Sequence, residues 1–161
     1  MKEFITIDVS KSAKKLVSNF EQGDLVAEQI LVQSMQQAVD LTATNAAVYP
    51  PTTEANQPPT PYYIRGTGTQ TSKGNRGESQ NLGQNWEKIV EIEANGVVGT
   101  VSNRVAYAPW VQGMNGQQWY HRKNGWRTVK KIASDVRQSV NNIFKAGTKR
   151  FTTYLKTGKL T

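Results

Sequence analysis

The sequence predicts an α+β fold: a long N-terminal helix and a C-terminal helix packed on a small antiparallel β-meander, with a long extended loop or arm. Three observations carry this prediction. They are a helical apolar pattern over residues 25–41, a strand pattern that turns at Asn95-Gly96, and an apolar stripe over residues 129–144. Both helices are expected on one face of the sheet.

A length of 161 residues fits one ordinary domain. We therefore expect a single domain, 1–161, with five segments along the chain. They are an N-terminal helical region (1–48), a Pro/Gly-rich loop or arm (49–77), the β-meander (78–113), an aromatic loop (114–126) and a basic C-terminal helix and tail (127–161).

The N-terminal region begins with FITIDV at residues 4–9, which fits either a short strand or the lead into a helix. Ser10 or Ser12 can cap a first helix, and Asp24 can cap a second one. In the second helix apolar residues recur at steps of three and four: Leu25, Ile30, Leu31, Met35, Ala38, Val39 and Leu41. We interpret this segment as a packing helix.

The next segment reads as a loop, because residues 49–61 hold five of the six prolines. Residues 65–77 are rich in Gly, Thr and basic residues, which is typical of a mobile arm or a long hairpin tip. The spacing of a phosphate-binding P-loop is absent. A loop of this length is often functional or ordered by a partner, so Tyr62, Tyr63 and Arg65 are candidate contact residues.

The meander opens after Leu82 and Trp86, which stand four residues apart and predict one helical turn or a tight apolar corner. Residues 86–94 alternate as a strand, and Asn95-Gly96 is a strong hairpin signal. Residues 97–101 form the predicted return strand. After a turn at Ser102-Asn103, a third strand is expected over residues 104–108 and ends at Pro109.

Residues 113–126 form a predicted Gly/Asn-rich loop with two Trp, one Tyr and the single histidine of the chain. The C-terminal helix follows, and its stripe comprises Val129, Ile132, Ala133, Val136, Val140, Ile143 and Phe144. Gly147 is expected to end this helix. The tail beyond it is basic and carries the apolar residues Phe151, Tyr154 and Leu155.

Positive charge is concentrated at the C-terminal end. Residues 1–120 hold nine Lys/Arg and eleven Asp/Glu, a net charge of −2, whereas residues 121–161 hold eleven Lys/Arg and one acid, a net charge of +10. Such a field attracts polyanions or acidic protein surfaces. The candidate polyanion contacts are Lys130, Lys131, Arg137, Lys149 and Arg150.

The residue types give little basis for catalysis. Cysteine is absent, which excludes disulfides and thiol chemistry. His121 has no carboxylate or nucleophile placed near it by sequence, and Glu91 and Glu93 fit the solvated side of a strand. We expect no catalytic, metal or cofactor site and no enzyme. Because no apolar run approaches a membrane span and the N-terminus lacks a signal-peptide pattern, we expect a protein made in a cytoplasm.

One alternative is a nucleic-acid-binding module. The basic C-terminal region would contact phosphates, while Trp119 or Trp126 would stack on bases. No helix-turn-helix, RNP or zinc signature accompanies these residues.

Residues 97–113 resemble a segment of the HK97 gp10-like family of tailed-bacteriophage neck or tail-completion proteins. In that family a Val-Gly-Thr strand and a short turn precede Tyr-Ala and a closing glycine. Here these are Val98-Gly99-Thr100, Tyr107-Ala108 and Gly113. The general order, from a long N-terminal helix through a polar insertion and a β-meander to a C-terminal helix, is also similar.

The resemblance implies a non-enzymatic virion protein, assembled in the host cytoplasm, that forms a ring at the head–tail junction or proximal tail. The expected partners are copies of itself, as a hexamer, and neighbouring head-closure or adaptor, tail-terminator or tail-tube proteins. The basic surface would face packaged DNA or an acidic ring; no membrane partner is expected. Tyr107 is predicted to point inward and Trp110 outward. The candidate interface residues are Tyr62, Tyr63, Arg65, Trp110, Trp119, Tyr120, Trp126, Phe151 and Tyr154.

Overall fold

The computed structural model describes residues 4–7, 25–51, 69–70, 76–77, 81–94 and 96–157. Within these ranges the chain forms strands and helices in this order: β1 (Phe4–Ile7), α1 (Leu25–Ala46), β2 (Thr69–Gln70), β3 (Arg76–Gly77), α2 (Asn81–Gln84), β4 (Trp86–Glu93), β5 (Gly96–Asn103), α3 (Ala108–Gln112), α4 (Trp119–Lys123) and α5 (Val129–Thr157).

A three-stranded antiparallel sheet in the order β1-β5-β4 lies at the centre of the fold. The β4–β5 hairpin pairs Trp86 with Asn103 and Glu93 with Gly96, in unbroken register. Gly96 has a φ of +146°, a conformation that a residue without a side chain adopts at little cost. The predicted α+β class and a hairpin at this point of the chain are therefore confirmed, with Gly96 as the first residue of β5 and not part of the turn.

The third strand of the sheet is β1, which pairs with β5 from Phe4 opposite Ser102 to Ile7 opposite Gly99. The strand alternative for the start of the chain is thus correct, and the predicted third meander strand over residues 104–108 is wrong. Strand β5 continues through Ser102-Asn103, where a turn was expected, and the chain then enters the short helix α3. Pro109 lies in the first turn of α3, where a missing N–H costs no helical hydrogen bond.

The predicted arm contains one described strand pair, in which Thr69 lies opposite Gly77 and Gln70 opposite Arg76. This pairing fits the hairpin interpretation for those residues. The candidate contacts Tyr62, Tyr63 and Arg65 lie outside the described residues, as does the first helix predicted after Ser10.

Helices α1 and α5 run antiparallel on one face of the sheet. Near one end of the pair Arg150 donates a hydrogen bond to Gln33, and near the other Arg127 donates one to the carbonyl of Asn45. The core between the helices and the sheet is small and apolar: Met35, Val39, Ala43, Ala46, Val97, Val101, Val129 and Ile132. The predicted packing of both long helices on one sheet face is confirmed.

Helix α5 has 29 residues and continues to Thr157, so the prediction that Gly147 ends it is wrong. Gly147 lies at the contact with α1, where an added Cβ would be 2.5 Å from Ser34 Oγ and 3.3 Å from Ile30 Cγ2. The glycine lets the two helices approach closely. Its place in the helix reflects packing, which the sequence pattern alone does not reveal.

We expect the effect of Gly147→Ala to depend on Ser34. Alanine favours a helix over glycine by about 1 kcal/mol, but its Cβ would displace the Ser34 hydroxyl, which donates a 2.7 Å hydrogen bond to the Ile30 carbonyl. In the native background the substitution should be neutral or destabilising by about 1 kcal/mol.

In a Ser34→Ala background the obstructing oxygen is gone, and Gly147→Ala should stabilise by about 0.5–1 kcal/mol. Urea unfolding of the four proteins in this double-mutant cycle measures the coupling. An identical effect of Gly147→Ala in both backgrounds would contradict the proposed contact.

Candidate interaction surface

A second, smaller core lies beneath residues 105–126. Its buried members are Leu82, Ala108, Val111 and Trp126, and the half-buried Tyr49 and Val105 pack against them. The rings of Tyr49 and Trp126 meet edge to face, with their centroids 4.9 Å apart. This cluster gives the segment after β5 an apolar anchor of its own. Leu82 lies in it on the single helical turn α2, one of the two predicted alternatives, whereas Trp86 packs against the first core.

Side-chain amides join this segment to the rest of the fold. Asn103 Nδ2 donates to the Leu82 carbonyl over 2.7 Å, and Asn103 Oδ1 accepts from the Val105 N–H over 3.0 Å. Gln112 Nε2 donates to the Ala46 carbonyl, the last residue of α1, over 3.2 Å. Buried amides in such positions satisfy main-chain groups that have no sheet or helix partner.

The predicted loop over residues 113–126 contains the helix α4 and folds back on α3. The Gln118 N–H donates to the Trp110 carbonyl over 2.9 Å, which brings the start of α4 next to Trp110. Gln117 Nε2 donates to the carbonyls of Val111 (2.9 Å) and Trp126 (2.8 Å). Residues 107–126 therefore form one folded unit held together by hydrogen bonds, and not an open loop.

The outer side of this unit exposes large apolar side chains. Tyr107 is 38% exposed, Trp110 55%, Met114 53% and Trp119 69%. We call these four residues the aromatic corner. The inner side of the same unit packs on Leu82 and Trp126. This core fixes the backbone that carries the four exposed side chains.

Two predictions about these residues are wrong and one is confirmed. Tyr107 is exposed and does not point inward, because the chain turns at Val105 where a third strand was expected. Trp126 is buried in the second core and is not positioned to contact a partner or to stack on a base. Trp110 points outward as predicted, and its role as a subunit contact stays a prediction.

The remaining aromatic candidates occupy intermediate positions. Tyr120 is half-buried, with its ring centroid 6.0 Å from that of Trp119 and 4.3 Å from that of His121. Phe151 lines a shallow cleft between α1 and α5 together with Ile30 and Phe144. Tyr154 is also half-buried. Their contacts within the chain make them weaker interface candidates than Trp110 and Trp119.

Most of the candidate basic residues lie on the outer side of α5. Lys130, Lys131, Arg137 and Lys149 are exposed, whereas Arg150 is half-buried and bonded to Gln33 of α1. Lys145 is exposed on the same helix and is absent from our sequence-based candidates. Its spacing of eight residues from Arg137 is the helical signal that could have identified it.

Burial shifts the pKa of two groups in this part of the fold, His121 and Tyr49. Burial lowers the pKa of the His121 ring, which favours its neutral form near pH 7. Burial raises the pKa of Tyr49, although a hydrogen bond from the Gly83 N–H opposes the shift. Glu91 and Glu93 are exposed on β4. Among the described residues, no group of three or more His, Asp or Glu side chains is arranged to hold a metal ion.

Within the described part of the chain, every helix is too short or too polar to cross a membrane.

Comparison with known proteins yields no relative: no protein-family model, no curated protein and no solved structure matches this chain.

Proposed function

We propose that this chain is a non-enzymatic structural protein that binds protein partners through the aromatic corner. The observation that carries this proposal is the exposure of two tryptophans, 55% for Trp110 and 69% for Trp119, on neighbouring helices that are held together by a backbone hydrogen bond. Exposed clusters of large apolar side chains on folded proteins commonly mark sites of association.

The side-chain types support a protein partner. Tryptophan, tyrosine and methionine are enriched in the centres of protein interfaces, and tryptophan often dominates the binding energy. Hydrogen bonds from the side-chain amides of Gln112 and Gln117 fix the backbone that carries the corner. Little ordering of the chain is therefore needed on binding. A small molecule is less suitable, because the four side chains project outward from the unit.

The resemblance of residues 97–113 to the HK97 gp10-like family suggests which assembly this is. We propose a ring of identical subunits, expected as a hexamer, at the head–tail junction or proximal tail of a bacteriophage. In a closed ring each subunit uses two different surfaces, and the aromatic corner would be one of them. Head-closure, adaptor, tail-terminator or tail-tube proteins would lie above and below the ring.

Replacing Trp110 and Trp119 together by serine should weaken association strongly. An interface tryptophan that dominates binding contributes about 2 kcal/mol or more, so the loss of two should lower the association constant about 1000-fold. Native mass measurement over a range of concentrations would follow the shift from ring to monomer.

The control is Ile92→Ser, which removes a 61% exposed side chain on β4 near the hairpin turn, whereas the corner follows the other end of β5. It should leave the assembly intact. A strictly monomeric native protein at high concentration, or equal assembly of the double variant, would count against the proposed interface. Absence of the protein from purified phage particles would refute the virion assignment while leaving a self-associating protein intact.

A further inference from the structure

The outer face of α5 carries a row of cations with no acidic partner in the described residues. Lys130, Arg137, Lys145 and Lys149 are exposed, and none of them lies within ion-pair distance of a described acid. The opposite face of the helix packs on α1 and the sheet through Val129, Ile132, Val136 and Val140. We call these four cations the basic row.

The single acid of α5 is neutralised locally. Asp135 accepts from Lys131 Nζ over 2.6 Å and from Arg127 Nη1 over 3.3 Å. These two cations hold the pKa of the Asp135 carboxyl below its usual range. Its negative charge is therefore compensated at the start of the helix and subtracts little from the field of the basic row.

The residues between the cations are mainly polar. They are exposed serine and amide side chains that can donate hydrogen bonds to phosphate oxygens: Ser134, Gln138, Ser139, Asn141 and Asn142. Among its described side chains, α5 exposes no large hydrophobic residue. A protein interface normally has apolar anchors at its centre, and a membrane-surface helix buries an apolar face in lipid. The outer face of α5 offers neither.

We propose that the basic row binds the phosphate backbone of double-stranded nucleic acid without reading its sequence. The row extends from Lys130 to Lys149, and the 19 helical steps between them correspond to about 28 Å. A duplex carries one charge per about 1.7 Å of its axis, so about 17 phosphate charges lie along that distance. Lysine and arginine side chains are flexible, so they can reach phosphates even where the spacing of the cations on the helix differs from the spacing of the phosphates.

A duplex suits this face better than a single strand. Proteins that bind single strands stack the bases on aromatic side chains that line the protein's binding groove. Trp126 is buried, and the exposed Trp119 is on α4 and not on the helix that carries the row. The structure therefore favours contacts with phosphates alone. Stacking of a base on Trp126, which the sequence suggested, is excluded because this ring is buried.

The test is the salt dependence of binding to a 20-base-pair duplex, measured by fluorescence anisotropy between 50 and 200 mM salt. Four phosphate contacts give a slope of log K against log salt of about −3.6, which is an affinity loss of about 150-fold over this range. The combined variant K130Q/R137Q/K145Q/K149Q should bring the slope close to zero. Circular dichroism would verify that each variant is folded.

A control variant with the same change of net charge is K88Q/R104Q/R122Q/K123Q, in which four cations outside α5 are removed. It should keep a slope near that of the native protein. Asp135→Asn provides a gain of function, because it releases Lys131 and Arg127 from their ion pairs. With one or two additional contacts, its slope should steepen to about −4.5 or −5.4.

Three results would overturn the proposal. One is the absence of duplex binding by the native protein at 50 mM salt. Another is an equal flattening of the slope by the control variant, which would indicate a non-specific effect of net charge. The third is tighter binding to single strands, or to vesicles of anionic lipid, than to the duplex.

Discussion

Replacing Ile132 by alanine is expected to lower the free energy of unfolding by about 2–5 kcal/mol. Ile132 has no exposed surface and lies in the core where α5 meets α1 and the sheet. The neighbouring core residues Met35, Val39 and Val101 are also fully buried, so the surroundings have little freedom to fill the cavity. The change removes both the transfer free energy of the side chain and its packing contacts.

The same substitution at Ile92, which is 61% exposed on β4, is the matched control and should change stability by less than about 0.5 kcal/mol. Thermal unfolding is a suitable measurement, because 1 kcal/mol corresponds to about 2–4 °C in a domain of this size. Similar midpoints for the two alanine variants would mean that the core between α1, α5 and the sheet is wrongly placed.

The second large effect is expected for Gly99→Val in the central strand β5. A Cβ at this position would lie 2.5 Å from Met35 Sδ and 2.6 Å from Val39 Cγ1, both of which belong to fully buried residues of α1. Valine favours a strand by up to about 1 kcal/mol, but the overlap would push α1 away from the sheet. We expect a net loss of about 1–3 kcal/mol.

Thr100→Val, at the next position of β5 and on the opposite sheet face, is the control and should be close to neutral. Val39→Ala in the Gly99→Val background removes one of the two obstructing side chains and should recover part of the loss. Urea unfolding of these variants tests the contact directly. A stability gain from Gly99→Val alone would show that α1 does not approach the sheet at this point.

The hairpin illustrates what local sequence can predict. Alternation over β4 and the Asn95-Gly96 sequence signal involve residues that are neighbours along the chain, so the pattern and the hairpin depend on the same short segment. The long helices were predictable for a related reason. Their apolar stripes repeat with the helical period and must be buried against something.

The wrong predictions concern residues whose environment is set by distant segments. Glycine is typical of a helix end, yet Gly147 lies inside α5 at the point where this helix packs against Ser34. Trp126 lies in a polar, glycine-rich stretch that reads as surface, and its ring is buried by Tyr49 and Leu82. Residues 104–108 have strand character, but β1 occupies the sheet position next to β5.

The sequence by itself determined the α+β class, the hairpin, the two packing helices and the concentration of positive charge at the C-terminal end. These properties follow from spacing and composition, which act over a few residues. Only the tertiary structure decided which aromatic residues are exposed and that α5 extends past Gly147. Those features depend on contacts between segments far apart in the chain, such as Tyr49 with Trp126 and Ser34 with Gly147.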